Sequence, residues 1–283
     1  MTISMDQIKQ LRDKTGAGIA DVKNALEEAG GELVAAAEIL RKKGIAKAAK
    51  REDREASEGI ILAGTNENGS EGYMIELNSE TDFVARNEQF QEFAKTIFNL
   101  VKTQKPQSLD ALLNVNYDNA SVKEKVNSLS GVIGEKLAVS NVAVLENANG
   151  QVASYIHVGL SDKNSAGAGG RIGVLVSLTG GTAELARDIA MQVAAANPKY
   201  LSIEEAKESG AEAIEKEKEI YREQLKNENK PEAMWDKIIE GKLQKYFQGI
   251  CLLEQEFIKD DAKQVKEILN GATVEKFVRF ALA

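Results

Sequence analysis

A single cysteine and a single histidine among 283 residues limit the chemistry open to this chain. Cys251 has no partner for an internal disulfide. With His157 as the only imidazole, a structural zinc site or a Cys/His/Asp catalytic group is hard to assemble. No cofactor and no metal ligand set is therefore expected, and the chain reads as a protein that is not an enzyme. Long apolar runs are missing too: none approaches the roughly 20 residues of a membrane span, and the opening MTISMDQIKQ lacks the charged-then-apolar plan of an export signal. These absences predict a cytoplasmic protein without membrane contact. Excess positive charge is also lacking. With 36 Lys and Arg against 44 Asp and Glu, the net charge of -8 argues against direct nucleic-acid binding, which needs a concentrated basic face.

What is present divides the chain into four kinds of sequence. Residues 1–55 predict a compact three-helix module and linker. Met5, Ile8 and Leu11 mark the first helix, Val22 to Ala29 the second and Leu33 to Leu40 the third, with Gly30-Gly31 and Gly44 as stops. The turn Thr15-Gly16-Ala17-Gly18-Ile19 lacks the Lys-Ser or Lys-Thr of a phosphate loop. It is either a tight interhelical turn or, with Arg12 and an exposed Ile19, a docking surface. From Ala46 to Glu58 the chain carries mixed charge without large apolar residues. This predicts a solvated connector, with an RNA- or ribosome-associated basic helix over 42–54 as the alternative.

Residues 56–141 and 142–202 with 247–283 predict two related α+β subdomains. In the first, Ile60–Ala63 and Tyr73–Leu77 flank the hairpin cue Asn68-Gly69; a Phe-rich helix from Phe90 to Val101 follows, stopped by Lys105-Pro106. Ser121-Val122-Lys123-Glu124 has the form of a capping box opening a helix with Val122, Val126, Leu129, Ile133 and Leu137 inward. In the second, Val142–Glu146 and Val152–His157 flank Asn149-Gly150 as a second hairpin, Ile172–Leu178 is a third strand, and Thr182 caps a helix. Hairpin, strand, turn and helix recur in order, which predicts a duplication. Phe257-Ile258 and Phe277–Phe280 are expected as strands around a helix near Ala262–Leu269. Residues 203–246 interrupt the second subdomain with helix-forming sequence broken at Asn227–Pro231, an antiparallel helical hairpin in which Ile214, Tyr221 and Leu225 face Met234, Ile238 and Leu243.

The two copies differ at one turn. Where the second has Thr179-Gly180-Gly181, the first has Ser79-Glu80-Thr81-Asp82-Phe83-Val84-Ala85-Arg86, followed by Asn87 as a helix cap. The short version suffices to join a strand to a helix, so the added acid and aromatic favour a ring presented outward over one folded back as a core lid. His157, at a strand end, is either a packing residue or a functional one. The loop Ser165–Arg171 has Ile172 where a dinucleotide fingerprint needs its third glycine, so a flexible loop is expected. Cys251 belongs to a core.

Four segments together resemble the bacterial elongation factor Ts family over essentially the whole length. They are Leu11–Gly18 with Asp21, Lys23 and Ala25-Leu26; Glu80–Asn87; Ile172–Val176; and Ala190–Ala195 with Pro198. Cys251–Gln255 fits as well. The resemblance implies an N-terminal domain like a ubiquitin-associated domain, two core subdomains and a protruding coiled coil. It implies a guanine-nucleotide exchange factor whose partner is elongation factor Tu, GDP-bound and nucleotide-free. Thr81, Asp82, Phe83 and Val84 would enter the partner near its magnesium site. Arg12 with Thr15, Gly16, Ala17, Gly18 and Ile19 would dock on the partner's nucleotide domain, and His157 would disturb its phosphate loop.

Overall fold

The computed structural model describes residues 3–159 and 169–283, so most of the glycine-rich loop lies outside the described residues. The chain is α+β. It opens with α1 (Met5–Thr15), α2 (Ile19–Glu28) and α3 (Leu33–Ala49), which enclose their own small core of Ile8, Leu11, Val22, Ala25, Leu26 and Ala36. Ser4 and Gln7 form a capping box at the start of α1, and Gly16, Gly30 and Gly31 take positive φ at the turns. Gly44 is not the expected stop: α3 runs through it to Ala49, and Gly44 lies against Gly131 of α7 (Val122–Ile133). A Cβ on Gly131 would come within 2.4 Å of Gly44 Cα, so the glycine there permits a close helix crossing.

The core begins with β1 (Glu58–Thr65) and β2 (Glu71–Ser79), a hairpin whose turn places Gly69 at φ 70°. A single helical turn, α4 (Asp82–Ala85), then leads into α5 (Glu88–Gln104), followed by α6 (Leu109–Leu113), the two-residue strands β3 (Asn116–Tyr117) and β4 (Ala120–Ser121), and α7. The Ser121–Glu124 capping box is present, but α7 ends at Gly134 in the left-handed region; Leu137 starts the next strand, β5 (Leu137–Glu146).

That strand changes the expected pairing. β5 does not form a hairpin with β6 (Gln151–Gly159); it returns beside β2, while β6 pairs with β7 (Gly169–Thr179). β5 thus crosses the expected subdomain boundary at 141/142. After β7 come α8 (Ala183–Ala196), α9 (Ile203–Ser209), α10 (Ala211–Asn227), α11 (Trp235–Ile250), β8 (Glu256–Phe257), β9 (Asp260–Gln264), α12 (Val265–Ile268) and β10 (Thr273–Ala281), and β10 returns beside β7. The repeat is therefore hairpin, helix and return strand, β1-β2-α5-β5 and β6-β7-α8-β10. Both repeat helices end alike. Lys105 (φ 47°, ψ 53°) and Asn197 (φ 46°, ψ 54°) stop α5 and α8 in the left-handed region, and each precedes a proline, Pro106 or Pro198.

Among the described residues six strands join in one sheet, because β1 meets β7 at Ile61–Gly170 and Leu62–Gly169. α5 and α7 cover one half over Ile75, Leu77, Phe90 and Ile97; α8 covers the other over Val174, Val176 and Ile189. A further cluster, with Ile61, Met74, Val152 and Leu175, spans both halves. The hairpin helices α10 and α11 turn at Lys230-Pro231, and α11 continues four residues past the expected end. Ile214, Leu225 and Ile239 are buried along them, whereas Met234 is exposed. Ile214 packs at the hairpin base with Ala206, Phe247 and Cys251. The expected C-terminal helix shrinks to the four residues of α12, because Asp260–Gln264 are strand.

Candidate functional site

Ser79 ends β2, and its hydroxyl donates to Thr81 O at 2.9 Å, turning the chain out of the sheet. Thr81 caps α4, accepting from Val84 N. Of the four residues of α4 only Ala85 is buried. Val84 packs at the edge of the core, Asp82 pairs with Arg86 at 3.1 Å, and Phe83 is 82% exposed, the most exposed of the large apolar residues among those described. Asn87 then caps α5, its Oδ1 accepting from Gln89 N at 2.9 Å and Phe90 N at 3.3 Å. A capped single turn is thus seated between two caps, with its one aromatic ring in solvent. The folded-back alternative for Phe83 is excluded by that exposure.

The neighbouring carboxylate is held from two sides. Lys136 N donates to Glu80 Oε1 at 2.6 Å and Arg54 Nη1 to both Glu80 oxygens at 3.2 Å. The Lys136 amide first, and the Arg54 guanidinium with it, keep Glu80 below the ordinary carboxylate value of 4.5 despite partial desolvation. Lys136 Nζ in turn donates to Glu52 O and Arg54 O, both at 2.7 Å, tying the linker to the same corner.

The N-terminal turn stands close by. A Cβ on Gly16 would lie 2.7 Å from Gln89 Nε2 and 3.3 Å from Val132 Cγ1, so the turn abuts the start of α5 and the end of α7. Arg12, Gly18 and Ile19 are exposed, Thr15 is half-buried with its hydroxyl on Leu11 O at 2.6 Å, and Ala17 is buried in the module's core. The turn therefore both packs and presents. Lys43 and Lys47 on α3 pair with Glu28 and Asp21, and Arg54 beyond it pairs with Glu80, so part of the basic row over 42–54 is neutralised within the chain.

His157 is exposed on β6, its Nδ1 3.1 Å from Tyr155 Oη. It pairs in register with Ile172, next to Arg171, whose guanidinium reaches Glu58; Glu58 faces Ser79 at the foot of the tip. The histidine and the tip thus belong to the same end of the sheet. No group of three or more metal-ligating side chains occurs among the described residues, and no helix among them is long and apolar enough to cross a membrane.

The family model described as "Elongation factor TS" matches residues 80–283, a span that opens at Glu80, the first residue of the tip. The chain is 44% identical over 296 aligned residues to "Elongation factor Ts" of Prosthecochloris aestuarii, covering 99% of this chain and 98% of the relative. It is 42% identical, with the same coverage, to "Elongation factor Ts" of Chlorobium phaeobacteroides. The chain belongs to the elongation factor Ts family. It is accordingly a translation elongation factor. In this elongation factor Ts chain the tip is held by Arg54, which the sequence offered only as part of the basic 42–54 helix, and by Glu135 and Lys136, which it did not single out. The local signal for the latter two is Gly134, a helix stop just before an acid-base pair.

Proposed function

We propose that this elongation factor Ts chain promotes exchange of GDP for GTP on elongation factor Tu by binding alone, with no covalent step. Arg12, Gly18 and Ile19, shaped by Thr15, Gly16 and Ala17, dock on the partner's nucleotide domain. Thr81, Asp82, Phe83 and Val84 enter near its magnesium site, and His157 disturbs its phosphate loop. The observation that carries this reading is the exposure of Phe83 on a tip whose backbone is hydrogen-bonded on both flanks, at Thr81 N and at Gln89 N. An apolar ring kept in water gives up burial worth about 1.5–3 kcal/mol, which a partner's pocket returns.

One ring is not enough for the task. A ten-thousandfold faster release needs about 5.5 kcal/mol, so the balance comes from removing the magnesium charge from the phosphates and from moving the phosphate loop. Because coupling is reciprocal, GDP weakens the factor's hold as much as the factor weakens GDP. The factor therefore leaves once nucleotide rebinds. The test is release of labelled GDP from elongation factor Tu with Phe83→Ala. Loss of most of the stimulation at saturating factor is expected, and stimulation equal to the unaltered protein would overturn the reading.

A further inference from the structure

The tip and the corner between α7 and β5 grip each other reciprocally. The Glu135 carboxylate accepts from Thr81 N at 3.0 Å and from Thr81 Oγ1 at 2.7 Å; one residue away in each segment, between β2 and α4 and between α7 and β5, Lys136 N donates to Glu80 Oε1 at 2.6 Å. All three bonds end on charged acceptors, the stronger kind. The Thr81 hydroxyl carries one proton and two lone pairs. With its proton given to Glu135, a lone pair is turned toward Val84 N, 3.4 Å away, which is the cap of α4. A helix of four residues has no stability of its own, and the Phe83 ring, exposed as it is, does little to hold itself in place. The direction of that ring is therefore set by the ends of α4, by Ala85 in the core and by Thr81 on Glu135.

We infer that Glu135 is a positioning residue for Phe83. It acts through Thr81, from 54 residues away in sequence. The inference rests on the reading of Phe83 as the group that meets the partner. Glu135 is half-buried at the surface, so its replacement leaves no void in a core.

The experiment measures labelled-GDP release against factor concentration for Phe83→Ala, Glu135→Ala, Glu135→Gln and the double variant Phe83→Ala/Glu135→Ala, together with hydrogen exchange at the Thr81 amide. Glu135→Ala is expected to lower the maximal rate on the order of tenfold, as small misplacements do, with the half-saturating concentration unchanged. Glu135→Gln, which keeps one acceptor oxygen, is expected to fall between. In the double variant the further loss from Glu135→Ala should be much smaller than in the unaltered background, because the main group that Glu135 positions is gone. Thr81 amide exchange should quicken in Glu135→Ala. A full maximal rate in Glu135→Ala beside a slow Phe83→Ala overturns the inference alone, as do losses that multiply in the double variant or an unchanged Thr81 amide. Should Phe83→Ala itself exchange at the full rate, the reading of Phe83 fails first, and this inference with it.

Discussion

Phe83 touches little of its own protein, and that separates its two expected effects. Replacement by Ala should leave the unfolding free energy, read from chemical denaturation, within about 0.5 kcal/mol of the unaltered protein, as for surface sites generally, while exchange stimulation collapses. Glu80 offers a second test. Its folded carboxyl is held below 4.5 by the Lys136 amide and Arg54, so its contribution is present above the unfolded value and is lost as pH falls through the lower, folded one. The Lys136 amide resonance should accordingly titrate with a midpoint below 4.5, and Glu80→Gln should abolish that titration. The outward setting of Phe83 was legible in sequence, because the second copy makes the same connection with Gly180-Gly181 and no aromatic. Glu135 was not. Local pattern specifies a cap or a periodicity, whereas the partner of a carboxylate across 54 residues is decided only once the α7–β5 corner is folded.

Among the elements, the crossing of α3 and α7 makes an asymmetric prediction. Gly131→Ala places a Cβ 2.4 Å from the Gly44 backbone and should cost about 1–3 kcal/mol through overpacking. Gly44→Ala meets nothing closer than Ser128 O at 3.5 Å, and should be neutral or gain up to about 1 kcal/mol of helix propensity. Chemical denaturation of the two single variants checks both. This glycine was misread in sequence as a stop because chain position alone does not separate a helix end from a close approach. β5 was misassigned for a similar reason: the Asn149-Gly150 cue signals a turn, but strand partners follow from packing, and β5 finds its place beside β2. The hairpin was better marked, since Pro231 and the run of helix formers are local signals. At its base Cys251 is fully buried and its thiol is pushed up to about 11 by desolvation, with nearby carboxylates adding to the shift. An aromatic disulfide reagent at pH 8 should therefore label it only as fast as the hairpin base opens, and at once in denaturant.

At the scale of the whole molecule, the two copies share one sheet through two residue pairs among the described residues, and Gly169 is the tight point of that seam. A Cβ there would fall 2.2 Å from Ile60 Cδ1, so Gly169→Val should destabilise the chain by about 1–3 kcal/mol, measured by denaturant unfolding. The general plan, a helical module, two α+β copies and an inserted hairpin, was legible because each part has its own composition. The joining of the copies was not, since two residue pairs leave no periodic trace. The lone ring at the tip has one more outcome, in the colloidal behaviour of the purified protein. Two molecules burying their fingertips in each other would meet against the repulsion of eight excess negative charges on each, whereas a differently charged surface would not. Raising the ionic strength until the repulsion is screened should therefore promote weak pairing, seen as a concentration-dependent rise in scattering mass, and removal of the ring should keep the solution monodisperse.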